Sequence, residues 1–229
     1  MNSIKEKRKR IITIDGPAGA GKTTVSQTIA KCLGWIYVDT GALYRGVAFE
    51  IKRTGIDWRN EIELKNLLDR INLDFTKGDD HPVLLSSGKD ISGKIRTPEI
   101  SMLASDVSAE PVVRAALLDI QKNLAVKNNA VFEGRDMGTI VFPSADFKFF
   151  LSADLKIRAL RRYMEMENKE QHLFSLESVE HDMAKRDKND SIRKQAPLKP
   201  ASDAIIIDST NMTLNEVVGK MLSIINHIY

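Results

Sequence analysis

The feature that most constrains this chain is the stretch Ile11 to Thr24, IITIDGPAGAGKTT. A β-branched run, Ile11-Ile12-Thr13-Ile14, meets the glycine loop Gly16-Pro17-Ala18-Gly19-Ala20-Gly21-Lys22-Thr23-Thr24, and Val25, Ile29, Ala30 and Leu33 follow at helical spacing up to Gly34. That is a strand, a G-x-x-x-x-G-K-[ST] loop and a helix in the order a phosphate-binding loop requires. The glycines let backbone N–H groups converge on phosphate oxygens, and the helix brings its positive N-terminal end to the same point. Lys22 supplies a point charge for the β- and γ-phosphates, and the Thr23 hydroxyl is a ligand for Mg2+. A glycine turn that binds nothing is the bland alternative, and the strand–loop–helix context argues against it. The chain reads as a binder of a nucleoside triphosphate on an α/β sheet.

The 229 residues suit one domain, or one domain carrying an insertion. A net charge of +3 is small, and much of it sits in Lys5, Lys7, Arg8, Lys9 and Arg10, so a nucleic-acid polymer is not an expected partner. That basic start has no long apolar stretch after it and reads as a solvated tail. No segment is long and apolar enough to span a bilayer. The one cysteine, Cys32, has no internal partner, and together these imply a reducing, cytoplasmic setting. His81, His172, His181 and His227 have no ligand spacing, so no protein-held metal cage is expected.

Trp35 to Val38 reads as a second buried strand, and the helix beyond Asp39-Thr40-Gly41 stops at Gly55, giving the β–α–β–α rhythm of a parallel sheet. Thr40, Tyr44 and Arg45 fall at the strand's carboxyl end, where such folds collect ligands. Tyr44 reads as partial core and Arg45, taken alone, as a solvated helix charge. A short helix fits Glu61 to Leu68. Between residues 71 and 95, turn signals at Lys77-Gly78-Asp79, Ser87-Gly88-Lys89 and Ser92-Gly93 separate short alternating segments, predicting a small antiparallel insertion. Arg96-Thr97-Pro98-Glu99 closes it. A helix runs from Pro111 to Lys127. The third parallel strand, Ala130 to Glu133, ends in Gly134-Arg135-Asp136-Met137-Gly138-Thr139, which is either a binding turn or simply an ion-paired one. The fourth strand, Phe147 to Leu151, leads to a basic helix with Arg158, Arg161 and Arg162, capped by Ser152 with Asp154. A helix from Ser175 to Lys188, a fifth strand from Ala204 to Asp208 and a last helix opened by the capping box Thr213-x-x-Glu216 complete the chain. Met164, Met166 and Met183 read as packing.

Five segments now stand in order: GPAGAGKTT, DTGALYR at 39–45, IRTPE at 95–99, EGRDMGTIVFP at 133–143 and KRDKNDSIRKQAPL at 185–198. Together they resemble the bacterial-type cytidylate kinases over essentially the whole chain. The glycine loop alone is shared by many ATPases and kinases; G-R-D-x-G-T together with R-D-x-x-D-x-x-R and A-P-L is far more specific. The resemblance implies a nucleoside monophosphate kinase fold: a P-loop α/β domain with a five-stranded parallel sheet flanked by helices, a small β-rich monophosphate-binding insertion and a helical lid. In this numbering the core is about 9–66, 107–151 and 171–229, the insertion about 67–106 and the lid about 152–170.

The implied reaction transfers the γ-phosphoryl of ATP to CMP or dCMP with Mg2+, and the implied oligomeric state is a monomer. Gly16 through Thr24 and Arg158 hold ATP, and Thr23 is the metal ligand. Lys22, Arg135 and Arg162 act on the transferring phosphate. Arg45 and Arg135 hold the acceptor phosphate with help from Arg193. Ser105, Arg114 and Asp136 read the base, and Arg186 and Asp190, with Asp136, the sugar; Thr40 also faces the acceptor nucleotide. Arg114 has a competing partner on its own helix in Glu110. Two positions depart from the pattern: Glu133, where many members have Asp, and Ser144, where Asp is frequent. A kinase of another small acceptor shares the loop and lid but does not need Arg114, Asp136 and Asp190 in this arrangement. A GTP switch wants an N-K-x-D segment, which is absent.

Overall fold

The computed structural model describes residues 8–76, 82–167 and 175–227. The turn at residues 77–79, His81, His172 and the expected lid beyond residue 167 lie outside the described residues. Five strands, β1 (Ile11–Asp15), β2 (Ile36–Asp39), β6 (Ala130–Gly134), β7 (Phe147–Ser152) and β8 (Ile205–Asp208), form one parallel sheet in the order β2-β6-β1-β7-β8. Three more, β3 (Leu73–Thr76), β4 (Val83–Ser86) and β5 (Lys89–Asp90), form a separate antiparallel sheet, the expected insertion. The fold is the α/β P-loop class, with its phosphate loop leaving the central strand β1.

Eight helices are described: α1 (Lys22–Leu33), α2 (Thr40–Thr54), α3 (Glu61–Leu68), α4 (Pro98–Val107), α5 (Pro111–Lys127), α6 (Leu155–Glu167), α7 (Leu176–Ile192) and α8 (Leu214–His227). Gly34 ends α1 at φ 66°, a left-handed conformation that favours glycine, and its N–H satisfies the carbonyls of Ala30 and Lys31. On one face of the sheet, Ile12, Ile14, Val131 and Phe149 pack against Val25 and Ile29 of α1 and Val217, Met221 and Ile225 of α8. A second core joins α2, α4 and α5 to the small sheet through Leu43, Val47, Leu84, Ile100 and Leu117. The insertion is therefore held to the main body by apolar packing.

The helix α4, which opens within the segment 96–99 that closes the insertion, is an element the sequence reading did not announce. Thr97 caps it by accepting from Ile100 N at 3.2 Å, Pro98 occupies the first turn, and Ile100, Ala104 and Val107 are buried. The helix α7 extends to Ile192, four residues past Lys188, so Asp190 is helical. Ser152 ends β7 in register with Asp208, which leaves Asp154 alone to cap α6 by accepting from Lys156 N at 2.8 Å. Thr213 and Glu216 form the expected capping box, with Glu216 accepting from Thr213 N at 2.8 Å. Residues Met137–Val141 make a single π-helical turn that periodicity does not predict. Met166 and Met183 are buried between α6 and α7, but Met164, expected to pack with them, is exposed.

Candidate active site

The phosphate loop is shaped by backbone that only glycine accommodates. At Gly16 a Cβ would lie 2.0 Å from the Leu151 carbonyl oxygen, and Gly19 and Gly21 adopt φ of 73° and 85°. Lys22 opens α1 at the loop's end, is buried, and donates to Pro17 O at 2.7 Å, so its amine folds over the loop. Burial lowers its pKa to about 7, and Arg135 and Arg186 push the same way, while Glu133 and Asp15 act against them.

Glu133, at the end of β6, spans the gap to the loop. One carboxylate oxygen accepts from the Thr23 hydroxyl at 2.9 Å and the other from the Tyr37 phenol at 2.6 Å. Burial and the neighbouring Asp39 raise its pKa, and Lys22, Tyr37 and Thr23 oppose that rise. A threonine hydroxyl beside an anchored carboxylate is a hard-oxygen set that suits Mg2+ and its bound waters. The longer side chain at this position thus reaches the loop directly. Thr40, the first residue of α2, donates its hydroxyl to Glu133 O at 2.6 Å and ties the same strand end to α2.

Across the carboxyl ends of the strands lies a cleft of arginines. Arg45 is not a solvated helix charge: it donates to Asp39 Oδ2 at 2.7 Å, and its Nε is buried without a partner. Gly41 gives it room, since a Cβ there would lie 3.1 Å from Arg45 Nη1. Arg135 Nε donates to Asp190 Oδ2 at 3.0 Å, and Ser105 Oγ stands 3.5 Å from the other oxygen of Asp190. Burial works to raise the Asp190 pKa, but Arg135, Arg186 and Arg193 outweigh it and hold it below the usual range. Arg114 pairs with Asp136 rather than with Glu110, and its guanidinium sits 6.0 Å from the Tyr44 ring centroid. Tyr44 is the partial core expected of it, and burial pushes its phenol up to about 12. Arg193 donates Nε to Ala196 O at 2.5 Å and Nη1 to Ser108 Oγ at 3.2 Å; its buried Nη2 lies 3.9 Å from Asp136 Oδ1.

Arg186, on α7, is the odd one of the group. Among the described residues neither it nor Lys22 has an ion-pair partner within 4.0 Å, and Arg186 Nε is a buried donor with no acceptor. Burial lowers its pKa to about 10, with Arg135 and Arg45 adding to the effect and Asp190 and Asp187 acting against it. The cleft therefore holds more buried positive charge than its own carboxylates balance, a condition relieved by anionic oxygens.

The three basic residues of α6 take separate places. Arg158 is buried and donates to Ala18 O of the loop at 3.0 Å and to Asp187 at 2.6 Å. Arg161 donates to Ser209 O at 2.7 Å, beyond the end of β8. Arg162 pairs with Glu165 at 3.2 Å on the exposed side of α6 and is not brought to the loop. Sequence reading passed over Asp15, Tyr37, Ser108 and Asp187; Asp15 and Asp187 had a visible signal, a lone acid closing an apolar strand and an acid inside a basic run. Among the described residues, no group of His, Cys, Asp and Glu side chains is arranged as a metal cage. No helix there is long and apolar enough to cross a membrane.

A P-loop facing a cationic cleft across the carboxyl ends of a parallel sheet defines a phosphotransferase class with separate donor and acceptor sides. The cytidylate kinase family profile matches residues 12–227. The cytidylate kinase of Geobacter sulfurreducens is 43% identical over 97% of this chain and 95% of its own length. Those of Lactobacillus johnsonii and Bacillus cereus are 43% and 40% identical, over 93% and 96% of this chain and 93% and 98% of their own lengths. The chain belongs to the cytidylate kinase family.

Proposed function

We propose that the chain transfers the γ-phosphoryl of ATP to CMP or dCMP, giving ADP and CDP or dCDP. The observation that carries this reading is the pair of buried, unpaired cations, Lys22 and Arg186, on the loop side and the cleft side of one site. In this reading residues 16–24 and Arg158 wrap the donor phosphates, and Lys22 moves from Pro17 O onto them. Arg45 and Arg135 take the acceptor phosphate with Arg193, and Arg186 and Asp190 meet the sugar. Thr40 and Ser105 line the acceptor side. Thr23, with Glu133 behind it, would hold Mg2+, which would supply neutralisation of phosphate charge.

Phosphoryl transfer leaves the protein little covalent work, so positioning and charge carry the catalysis. The Arg114–Asp136 pair offers a guanidinium and a carboxylate side by side. Cytosine presents acceptors at N3 and O2 and an amino donor at N4, which match them, whereas uracil reverses N3 and the 4-position. Residues about 67–106 are assigned to monophosphate binding, about 152–170 to the lid and about 9–66, 107–151 and 171–229 to the core of a cytoplasmic monomer. The test is phosphoryl transfer from ATP across CMP, dCMP, UMP, AMP, GMP and shikimate, with mass measured in solution. Preference for CMP and dCMP is expected; a better small-acid or purine acceptor overturns the reading.

A further inference from the structure

Asp15 is the last residue of β1 and directly precedes Gly16, yet its side chain serves the opposite half of the site. It is 4% exposed. One carboxylate oxygen accepts from Met137 N at 2.9 Å and the other from Gly138 N at 2.8 Å. Those amides open the π-helical turn that follows Arg135 and Asp136, and Asp136 itself makes no side-chain capping bond to that turn. The turn packs closely on β1 and β7. At Gly138 a Cβ would lie 3.0 Å from Thr13 Oγ1, 3.3 Å from Lys148 Cδ and 3.4 Å from Asp15 Oδ2. At Gly134 a Cβ would meet Met137 Cγ at 2.6 Å.

We propose that Asp15 is a positioning residue for the acceptor nucleotide: its carboxylate fixes the turn directly after Arg135 and Asp136 to the strand that launches the ATP loop. One side chain thereby sets the offset between donor loop and acceptor turn. The inference rests on the reading of Arg135 as an acceptor-phosphate contact and Asp136 as a cytosine contact. A carboxylate is the group this geometry requires, because both oxygens must accept. Asparagine keeps one acceptor and turns an N–H donor toward the second amide, so one bond is lost and a donor–donor contact replaces it. Burial pushes the Asp15 carboxyl up to about 6, and the two amides hold it down against that rise.

The experiment compares Asp15→Asn with the parent in ligand-free amide exchange, in separate ATP and CMP binding, and in the kcat/KM ratio for CMP over UMP. Exchange at Met137 and Gly138 is expected to accelerate about tenfold or more, with CMP binding weakened about tenfold and ATP binding changed less than about threefold. The CMP:UMP ratio is expected to fall. Unchanged exchange overturns the proposal, as does faster exchange with parental CMP affinity and ratio. Equal weakening of ATP and CMP binding also overturns it, since that marks general loosening. Asp136→Asn is measured alongside. If it keeps the parent ratio, base reading by Asp136 fails, and Asp15 is judged on CMP affinity alone, through Arg135. Should Asp15→Asn not fold, Gly138→Ala, which crowds the same turn against Thr13 and Asp15, is held to the same criteria.

Discussion

Arg114→Met removes the buried partner of Asp136 and tests base selection and stability together. The two side chains are 11% and 3% exposed, and Arg193, 3.9 Å from the other oxygen of Asp136, is the next cation. Removing one member of a buried pair costs about 3–5 kcal/mol, and the nearby Arg193 places this case toward the lower end, about 3 kcal/mol. Asp136→Asn is milder, about 1–2 kcal/mol, because an amide oxygen still accepts from Arg114. Arg114 also keeps Ser108 O at 3.3 Å. The double variant is therefore expected to be more stable than the sum of the singles by about 2 kcal/mol. Urea unfolding without nucleotide reads that coupling. If the pair reads cytosine as a unit, each single variant lowers the CMP:UMP ratio of kcat/KM by about hundredfold, and the double lowers it little further. Stabilities that add, with a parental ratio in both singles, would refute the reasoning.

Other outcomes follow from the same geometry. Lys22→Met is expected to fold at least as stably as the parent, since its buried amine has no carboxylate partner, and to lose orders of magnitude in turnover; thermal unfolding and steady-state rates check both. ATP binding is expected to take up a proton, because the Lys22 pKa of about 7 in the free protein rises beside phosphates. Uptake should be near zero at about pH 6, where the amine is already charged, and approach one proton at about pH 8; above pH 7 ATP affinity then weakens up to about tenfold per pH unit. Calorimetry in buffers of different ionisation heat measures it, and equal uptake by Lys22→Met would remove the assignment. Arg162→Ala is expected to lower kcat about tenfold or more with CMP affinity unchanged, because its exposed pair with Glu165 is weak enough to release it on closure. An effect on melting temperature alone would mark Arg162 as a surface charge.

What could be read from the chain alone was whatever is written locally. The loop, α1, the buried strands and α5 announce themselves through glycine spacing and apolar periodicity over a few residues. The helix α4 was equally local, with Thr97 and Pro98 as start signals, and was missed because its first turn coincides with the end of the hairpin insertion. The site is different in kind. Arg114 and Asp136, Arg158 and Asp187, and Arg135 and Asp190 are 22, 29 and 55 residues apart, and only the packing of helices on the sheet and on one another brings them together. The π-helical turn takes two of its bonds from Asp15, across 122 and 123 residues, so no window centred on it contains the cause of its shape. Residue types therefore indicated that a phosphate chemistry existed, while topology decided which cations were neutralised. Of the site arginines, Arg45, Arg114 and Arg135 pair with carboxylates, while among the described residues Arg186 has no carboxylate within 4.0 Å. That asymmetry has a consequence for binding. A paired arginine must trade part of an existing ion pair for a new partner, whereas Arg186 feels Asp190 and Asp187 only at longer range and has no close pair to give up. On the reading proposed above, Arg186 at the acceptor sugar then gains an acceptor for its buried Nε without giving up an ion pair.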